Sequence, residues 1–228
     1  MIKLRLQQCE FINVPDAENL IVAGGRRPDP DFFKNLARGR KIFAVDKGIE
    51  ICKDCNILPK VFIGDFDSAE STALNWAIEN KIPIKRHPVE KDFTDTQLAL
   101  ELLGKNISAI VTGIFGGRLD HLFSNVFTCA NYEKIFLADE REIIFYVKGG
   151  EFVEVNFFNE PYAVSLLPIT ETCEGVTTEN LHWELSNATI KQNLPNAVSN
   201  RVENSKIKIS VERGTLAIYF CFSDSISV

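Results

Sequence analysis

Residues 41–68 read KIFAVDKGIEICKDCNILPKVFIGDFDS, and this stretch decides the fold. Its two ends, 41–46 and 60–65, are short apolar runs rich in Ile, Val and Phe. Continuous runs of this kind mark strands buried on both faces. The segment between them, 47–56, carries a helical pattern, so the stretch is one strand–helix–strand unit. The alternation continues in both directions. Further strands are expected over 20–24, 83–87, 108–115 and 133–138, and helices near 30–38, 69–80, 94–104 and 119–131. The expected fold class is therefore α/β, a doubly wound, mostly parallel sheet covered by helices.

From about Gly149 the pattern changes. Strands are expected over 151–158, 162–168, 182–185, 189–192, 206–212 and 216–222, with no long helical period. Ile207, Ile209 and Val211 alternate with Lys206, Lys208 and Ser210, as in a half-buried strand. Arg213-Gly214 reads as a hairpin turn. The expected division is an α/β domain over 1–147 and a small all-β sandwich over 148–228, with Lys148-Gly149-Gly150 at the boundary.

Composition narrows the function. The chain has 228 residues, 45% hydrophobic and 25% charged, an ordinary globular profile with ample core material. Net charge is −6 with no basic tail, which argues against a nucleic-acid partner. Such a protein still binds an anionic nucleotide if a metal lies between them. The start, MIKLRLQQCEF, has no apolar core of a signal peptide, and no run approaches a bilayer span, so a cytoplasmic protein without membrane contact is expected. Among six cysteines only Cys52 and Cys55 have ligand-like spacing, and nothing nearby completes a zinc site. Reduced thiols in a cytosol are the expected state.

In an open α/β sheet, ligands bind beyond the carboxyl ends of the strands, and acidic residues gather at those ends here. Asp46 closes one strand. Asp65 closes another and is followed by Phe66-Asp67-Ser68. Two carboxylates two residues apart on extended backbone point to one side and repel, unless a hard dication such as Mg²⁺ sits between them. The same pattern also fits a solvated turn in which Asp67 or Ser68 caps the next helix. In Lys91-Asp92-Phe93-Thr94-Asp95-Thr96-Gln97, Thr94 and Gln97 have capping-box spacing, and Asp95 suits the helix dipole. Capping leaves Lys91 and Asp92 unexplained, and the helix N-terminus is also fit to face phosphate.

Gly116-Gly117-Arg118-Leu119-Asp120-His121 is the sharpest stretch. Its glycines permit close backbone approach to a ligand, and Arg118 offers a planar fork to phosphate. Asp120 and His121 either orient it or meet the nucleotide; a glycine turn with Asp120 as a helix cap is the plainer alternative. Gly24-Gly25-Arg26-Arg27 is a weaker signal, equally readable as loop glycines with surface arginines. Together these clusters favour a metal–phosphate site.

These motifs, in this order, resemble the thiamine pyrophosphokinase family. Gly64-Asp65-Phe66-Asp67-Ser68, Lys91-Asp92-Phe93-Thr94-Asp95 and Gly116-Gly117-Arg118-Leu119-Asp120-His121 carry the likeness in the first half. Gly175-Val176-Thr177-Thr178-Glu179-Asn180-Leu181-His182-Trp183-Glu184-Leu185 and Ser199-Asn200 carry it in the second. The likeness runs from about Ile21 to Phe222. It implies a nucleotide-binding catalytic domain followed by a thiamine-binding β-sandwich, in a homodimer with thiamine at the interface. It implies Mg²⁺ on Asp65, Asp67 and Asp95, with Asp92 also in the catalytic cluster. It places Lys91, Arg118, Asp120 and His121 around the triphosphate of ATP, and Asp46 near it. Thr177, Trp183, Ser199 and Asn200 would hold thiamine. A core position in the sandwich is the other reading of Trp183.

Two positions depart from the family pattern. Lys47 stands where the family often has glycine, and so does Asn180, though asparagine accepts the left-handed conformation better than most residues. Three rivals keep the same motifs in play. One is a pyrophosphokinase for another small alcohol such as a hydroxymethylpterin. One is a non-catalytic sensor of nucleotide or thiamine diphosphate. The third is a metal-dependent phosphatase, which leaves Arg118, Asp120 and the β half unexplained.

Overall fold

The structure is a computed structural model and describes residues 3–64, 71–87, 93–194 and 196–222. Two short strands open the chain, β1 (Lys3–Arg5) and β2 (Cys9–Pro15). The alternating part follows: β3 (Asn19–Val22), α1 (Pro30–Ala37), β4 (Lys41–Val45), α2 (Gly48–Asp54) and β5 (Val61–Gly64). It continues through α3 (Ser71–Glu79), β6 (Ile84–Arg86), α4 (Asp95–Leu103), β7 (Ser108–Thr112), α5 (Leu119–Cys129) and β8 (Lys134–Ala138). The remainder is all strand: β9 (Glu142–Lys148), β10 (Glu151–Phe157), β11 (Ala163–Pro168), β12 (Thr172–Glu179), β13 (Ala188–Lys191), β14 (Lys206–Val211) and β15 (Thr215–Cys221).

The chain forms two compact units. One spans Ala17–Asp139 and holds a fully parallel sheet in the order β8-β7-β3-β4-β5-β6. β3, the central strand, is buried along its whole length, as the continuous apolar pattern predicts. The helices have plain local causes. In α1, Asp29 accepts from the N–H groups of Asp31 and Phe32, Pro30 occupies the first turn, and Phe32, Phe33 and Leu36 form the buried face. The strand order matters most for function. The chain steps outward from β3 to β6, then returns to place β7 on the other side of β3. That reversal is the switch point at which a crevice opens beyond the strand ends.

The second unit comprises Met1–Asp16 and Glu140–Val228. Sequence analysis puts the division at 147/148; the compact units divide after Asp139, and the first sixteen residues join the β part. Pairing explains the difference. β9 runs antiparallel to β15, with Phe145 opposite Ile218, and β2 runs antiparallel to β10, with Phe11 opposite Val155. The six-stranded sheet β1-β2-β10-β14-β12-β13 and the antiparallel group β9-β15-β11 make the sandwich. Phe11 from the first meets Phe145 from the second, and Phe157 meets Phe220, with ring centroids 4.8 and 5.0 Å apart. Segment 182–185, expected as a strand, is irregular, and β12 lies just before it instead. The register of β12 against β13 shifts between Cys173 and Val176, which hides the strand from any period-two reading.

Phe220 is fully buried and touches three other rings, so Phe220→Ala should destabilise the β unit by about 3–5 kcal/mol. Denaturant unfolding checks this. Phe158→Ala, at a 43% exposed ring, should cost far less.

Candidate active site

The site of the α/β unit is built where β3 and β7 end. The two departing segments are bonded to each other: Ala23 N–H donates to Thr112 O, Gly25 N–H to Gly113 O and Arg26 N–H to Phe115 O, at 2.6–2.8 Å. Arg26 is not a surface arginine. Its Nε and Nη2 donate to the buried Asp139 carboxylate at 2.9 and 2.6 Å, and its guanidinium lies 5.7 Å from the Phe115 ring. The motif Gly24-Gly25-Arg26 therefore fixes the two loops relative to each other. Arg27 pairs with Asp54 at the surface.

Beyond these loops lies a cavity of about 600 Å³. Asp46 follows β4 in the left-handed conformation, φ 47°, and lines the cavity with Lys47. Lys47 has φ −59° and ψ −14°, a conformation open to any residue, so replacing the family's usual glycine strains nothing there. The glycine this turn needs is Gly48, where a side chain would collide with the Val22 carbonyl. From α4 come Thr94, Asp95 and Thr96. The capping box is present: Thr94 Oγ1 accepts from Gln97 N–H, and Thr94 N–H donates to Gln97 Oε1. Capping thus accounts for Thr94 and Gln97 and leaves the half-buried Asp95 on the cavity wall. Gly116 and Gly117 turn with φ of 68° and 70° and deliver Arg118 to the start of α5.

Arg118 and His121 line the cavity at its exposed edge. Arg118 donates to both oxygens of Asp120 at 3.1 and 2.6 Å, and Asp120 also accepts from the His121 N–H. The Arg118 hydrogen bonds hold the Asp120 carboxyl below the usual carboxylate range, and Asp120 in turn raises the guanidinium. Asp120 is thus the partner that orients Arg118. Asp65, Asp67, Lys91 and Asp92 lie outside the described residues. Sequence analysis missed Thr96 and Asn125, both only 7% exposed and both on the cavity wall. Asn125 had a signal: Arg118, His121 and Asn125 follow helical spacing along one face of α5.

The β unit assembles a second cluster. Asn200 is buried, its Oδ1 accepts from Trp183 N–H at 3.1 Å and Arg201 N–H at 2.8 Å, and its Nδ2 donates to Trp183 O at 2.8 Å. Trp183 is clamped by its backbone while the residue is 56% exposed, which rules out the core reading. The His182 ring stands edge-on to it at 4.6 Å, and His182 Nδ1 pairs with Glu203. Trp183, Val198 and Asn200 line a hollow of about 340 Å³. Ser199, in the left-handed conformation with φ 57°, faces a neighbouring hollow with Tyr162 and Arg201. Thr177 lines neither hollow; its hydroxyl accepts from Asn187 N–H and ties down the far end of the loop. Asn180, with φ 64°, takes the left-handed turn expected of it.

Comparison with known proteins finds relatives for both halves of the chain. Residues 33–138 match the family described as thiamin pyrophosphokinase, catalytic domain, and residues 154–216 match thiamin pyrophosphokinase, vitamin B1 binding domain. The chain is 29% identical to a Bacillus subtilis protein named thiamine pyrophosphokinase, over 87% of this chain and 95% of that one. A crystal structure of thiamin pyrophosphokinase from Geobacillus thermodenitrificans superposes with a TM-score of 0.78 at 26% identity, covering 92% of this chain and 99% of that one. The yeast thiamin pyrophosphokinase structure shares the fold, with a TM-score of 0.75 at 15% identity, covering 92% and 88%. With both halves of the sequence matched, the chain belongs to the thiamin pyrophosphokinase family.

Proposed function

We propose that this chain transfers the pyrophosphoryl group of ATP to the hydroxyl of thiamine, giving thiamine diphosphate and AMP. One observation carries the reading. The cavity walled by Asp46, Asp95 and Arg118, all within the region matching the catalytic domain, sits at the switch point of the parallel sheet. The exposed Trp183 stands in the region matching the vitamin B1 domain.

Asp46 and Asp95 offer hard oxygen donors to the cavity, the donor chemistry that suits Mg²⁺. Asp95, with Asp65 and Asp67, would hold the metal. When bound, it supplies charge neutralisation for the triphosphate. Arg118 keeps guanidinium donors beyond those it gives Asp120, and these would meet the phosphates. On the same reading Lys91, Asp92, Asp120 and His121 would surround the triphosphate, with Asp46 near it. The thiamine oxygen attacks the β-phosphorus in line. The new O–P bond forms as the bond from that phosphorus to the α–β bridging oxygen breaks. AMP leaves with the electron pair, and a carboxylate of the cluster takes the hydroxyl proton. Positioning and charge dominate such transfers.

Trp183 would pack against the cationic ring system of thiamine. Asn200 would act by holding Trp183, and Thr177 and Ser199 by shaping the loops around it. An exposed aromatic ring suits a cationic alcohol and favours thiamine over a neutral pterin alcohol. A homodimer with thiamine at its interface and a cytoplasmic setting belong to the same proposal; no helix among the described residues is long and apolar enough to cross a membrane.

Asp67→Asn and Asp95→Asn should each lower AMP formation by about 10²-fold or more, with circular dichroism and melting unchanged. Full activity in either, with Mg²⁺ and ATP present, contradicts the metal assignment. Trp183→Ala should raise the KM for thiamine roughly 2- to 30-fold and leave the KM for ATP in place. An unmoved thiamine KM contradicts the ring contact.

A further inference from the structure

The polar lining of the nucleotide cavity is sorted by charge and depth. Its cationic members, Lys47 and Arg118, are exposed, as is His121, and Asp46 and Asp95 are half-buried. Its two deeply buried polar side chains, Thr96 and Asn125, are neutral. Neither makes a side-chain hydrogen bond among the described residues. Their positions differ from those of ordinary core polar residues, because buried polar groups are normally bonded within the protein. Thr96 belongs to the first turn of α4 and Asn125 to the middle of α5, so two helices bring them to one wall.

We infer that Asn125, assisted by Thr96, is the base-reading residue of the nucleotide site and selects adenine over guanine. The inference rests on the cavity being the ATP site. Phosphates need charge and donors, and those stand at the rim; a neutral, flat base fits the neutral floor. An asparagine amide presents one donor beside one acceptor. The adenine edge offers the complementary pair, an amino donor beside a ring-nitrogen acceptor, whereas the corresponding guanine edge offers two acceptors. Guanine would leave the amide oxygen buried opposite another acceptor, a mismatch that a desolvated site penalises. In the sequence only its helical spacing from Arg118 and His121 marks this residue, since neither capping nor the glycine turn involves it.

The test compares nucleotides and includes direct binding. Calorimetry with ATP and with GTP, each with Mg²⁺, is run on the full chain and on Asn125→Leu, alongside AMP or GMP formation with thiamine. The wild type should prefer ATP, and Asn125→Leu should lose about 10- to 100-fold for ATP, with a much smaller loss for GTP, so that the preference collapses. Thr96→Val should narrow the preference in the same direction by a smaller factor, and it decides the matter if Asn125→Leu does not fold. Equal losses for both nucleotides, or a preference kept in the variant, overturn the assignment. A wild type that binds ATP selectively through Asn125 but makes no thiamine diphosphate would refute the proposed reaction and leave the base-reading role standing. A wild type that binds neither nucleotide overturns the role.

Discussion

The structure depends on the point where the parallel strand order reverses. β3 and β7 are neighbours, yet the chain leaves them toward opposite sides of the sheet. Three backbone hydrogen bonds, from Ala23, Gly25 and Arg26 to the segment 112–115, keep the departing loops together at their base. The Arg26–Asp139 pair then ties the first loop to the residue that follows β8. Asp139 is fully buried, and an unpaired carboxylate there would cost several kcal/mol, about 3–5 by analogy with other broken buried pairs. Around this junction the cavity gathers the Asp46 turn, the first turn of α4 and the glycine turn into α5.

A chain of net charge −6 must still attract a polyanion. The arrangement around the cavity resolves the conflict locally. Arginine and lysine stand at the rim, two helix N-termini open onto it, and carboxylates occupy the wall, where a dication would relieve their repulsion. Arg118 is held in a defined pose by its two hydrogen bonds to Asp120. An oriented cation needs less reorganisation at the moment of reaction than a mobile one. The β unit uses the same device with different chemistry, because Asn200 fixes the Trp183 backbone and leaves its ring exposed.

Much of this is legible in the amino-acid order, and the failures have causes. The parallel sheet shows itself because its strands are buried on both faces and lack alternation. β9, EIIFYVK, has the same continuous apolar pattern, so composition assigns it to the α/β part, while its antiparallel pairing with β15 places it in the sandwich. β1 and β2 need a partner contributed from residue 151 onward, and no local pattern reveals such a long-range pairing. β12 hides behind a register shift. Within the site, charged residues announce themselves through motifs. Thr96 and Asn125 do not, because a neutral side chain at helical spacing looks like any core or surface position until burial is known.

The account turns on which phosphorus is attacked and by what. The wild-type chain incubated with ATP, Mg²⁺ and equal thiamine and hydroxymethylpterin, followed by ³¹P NMR and chromatography, measures both at once. The account predicts AMP and thiamine diphosphate in equal amounts, with the pterin untouched. ADP with thiamine monophosphate, or AMP formed only at the expense of the pterin, would contradict it.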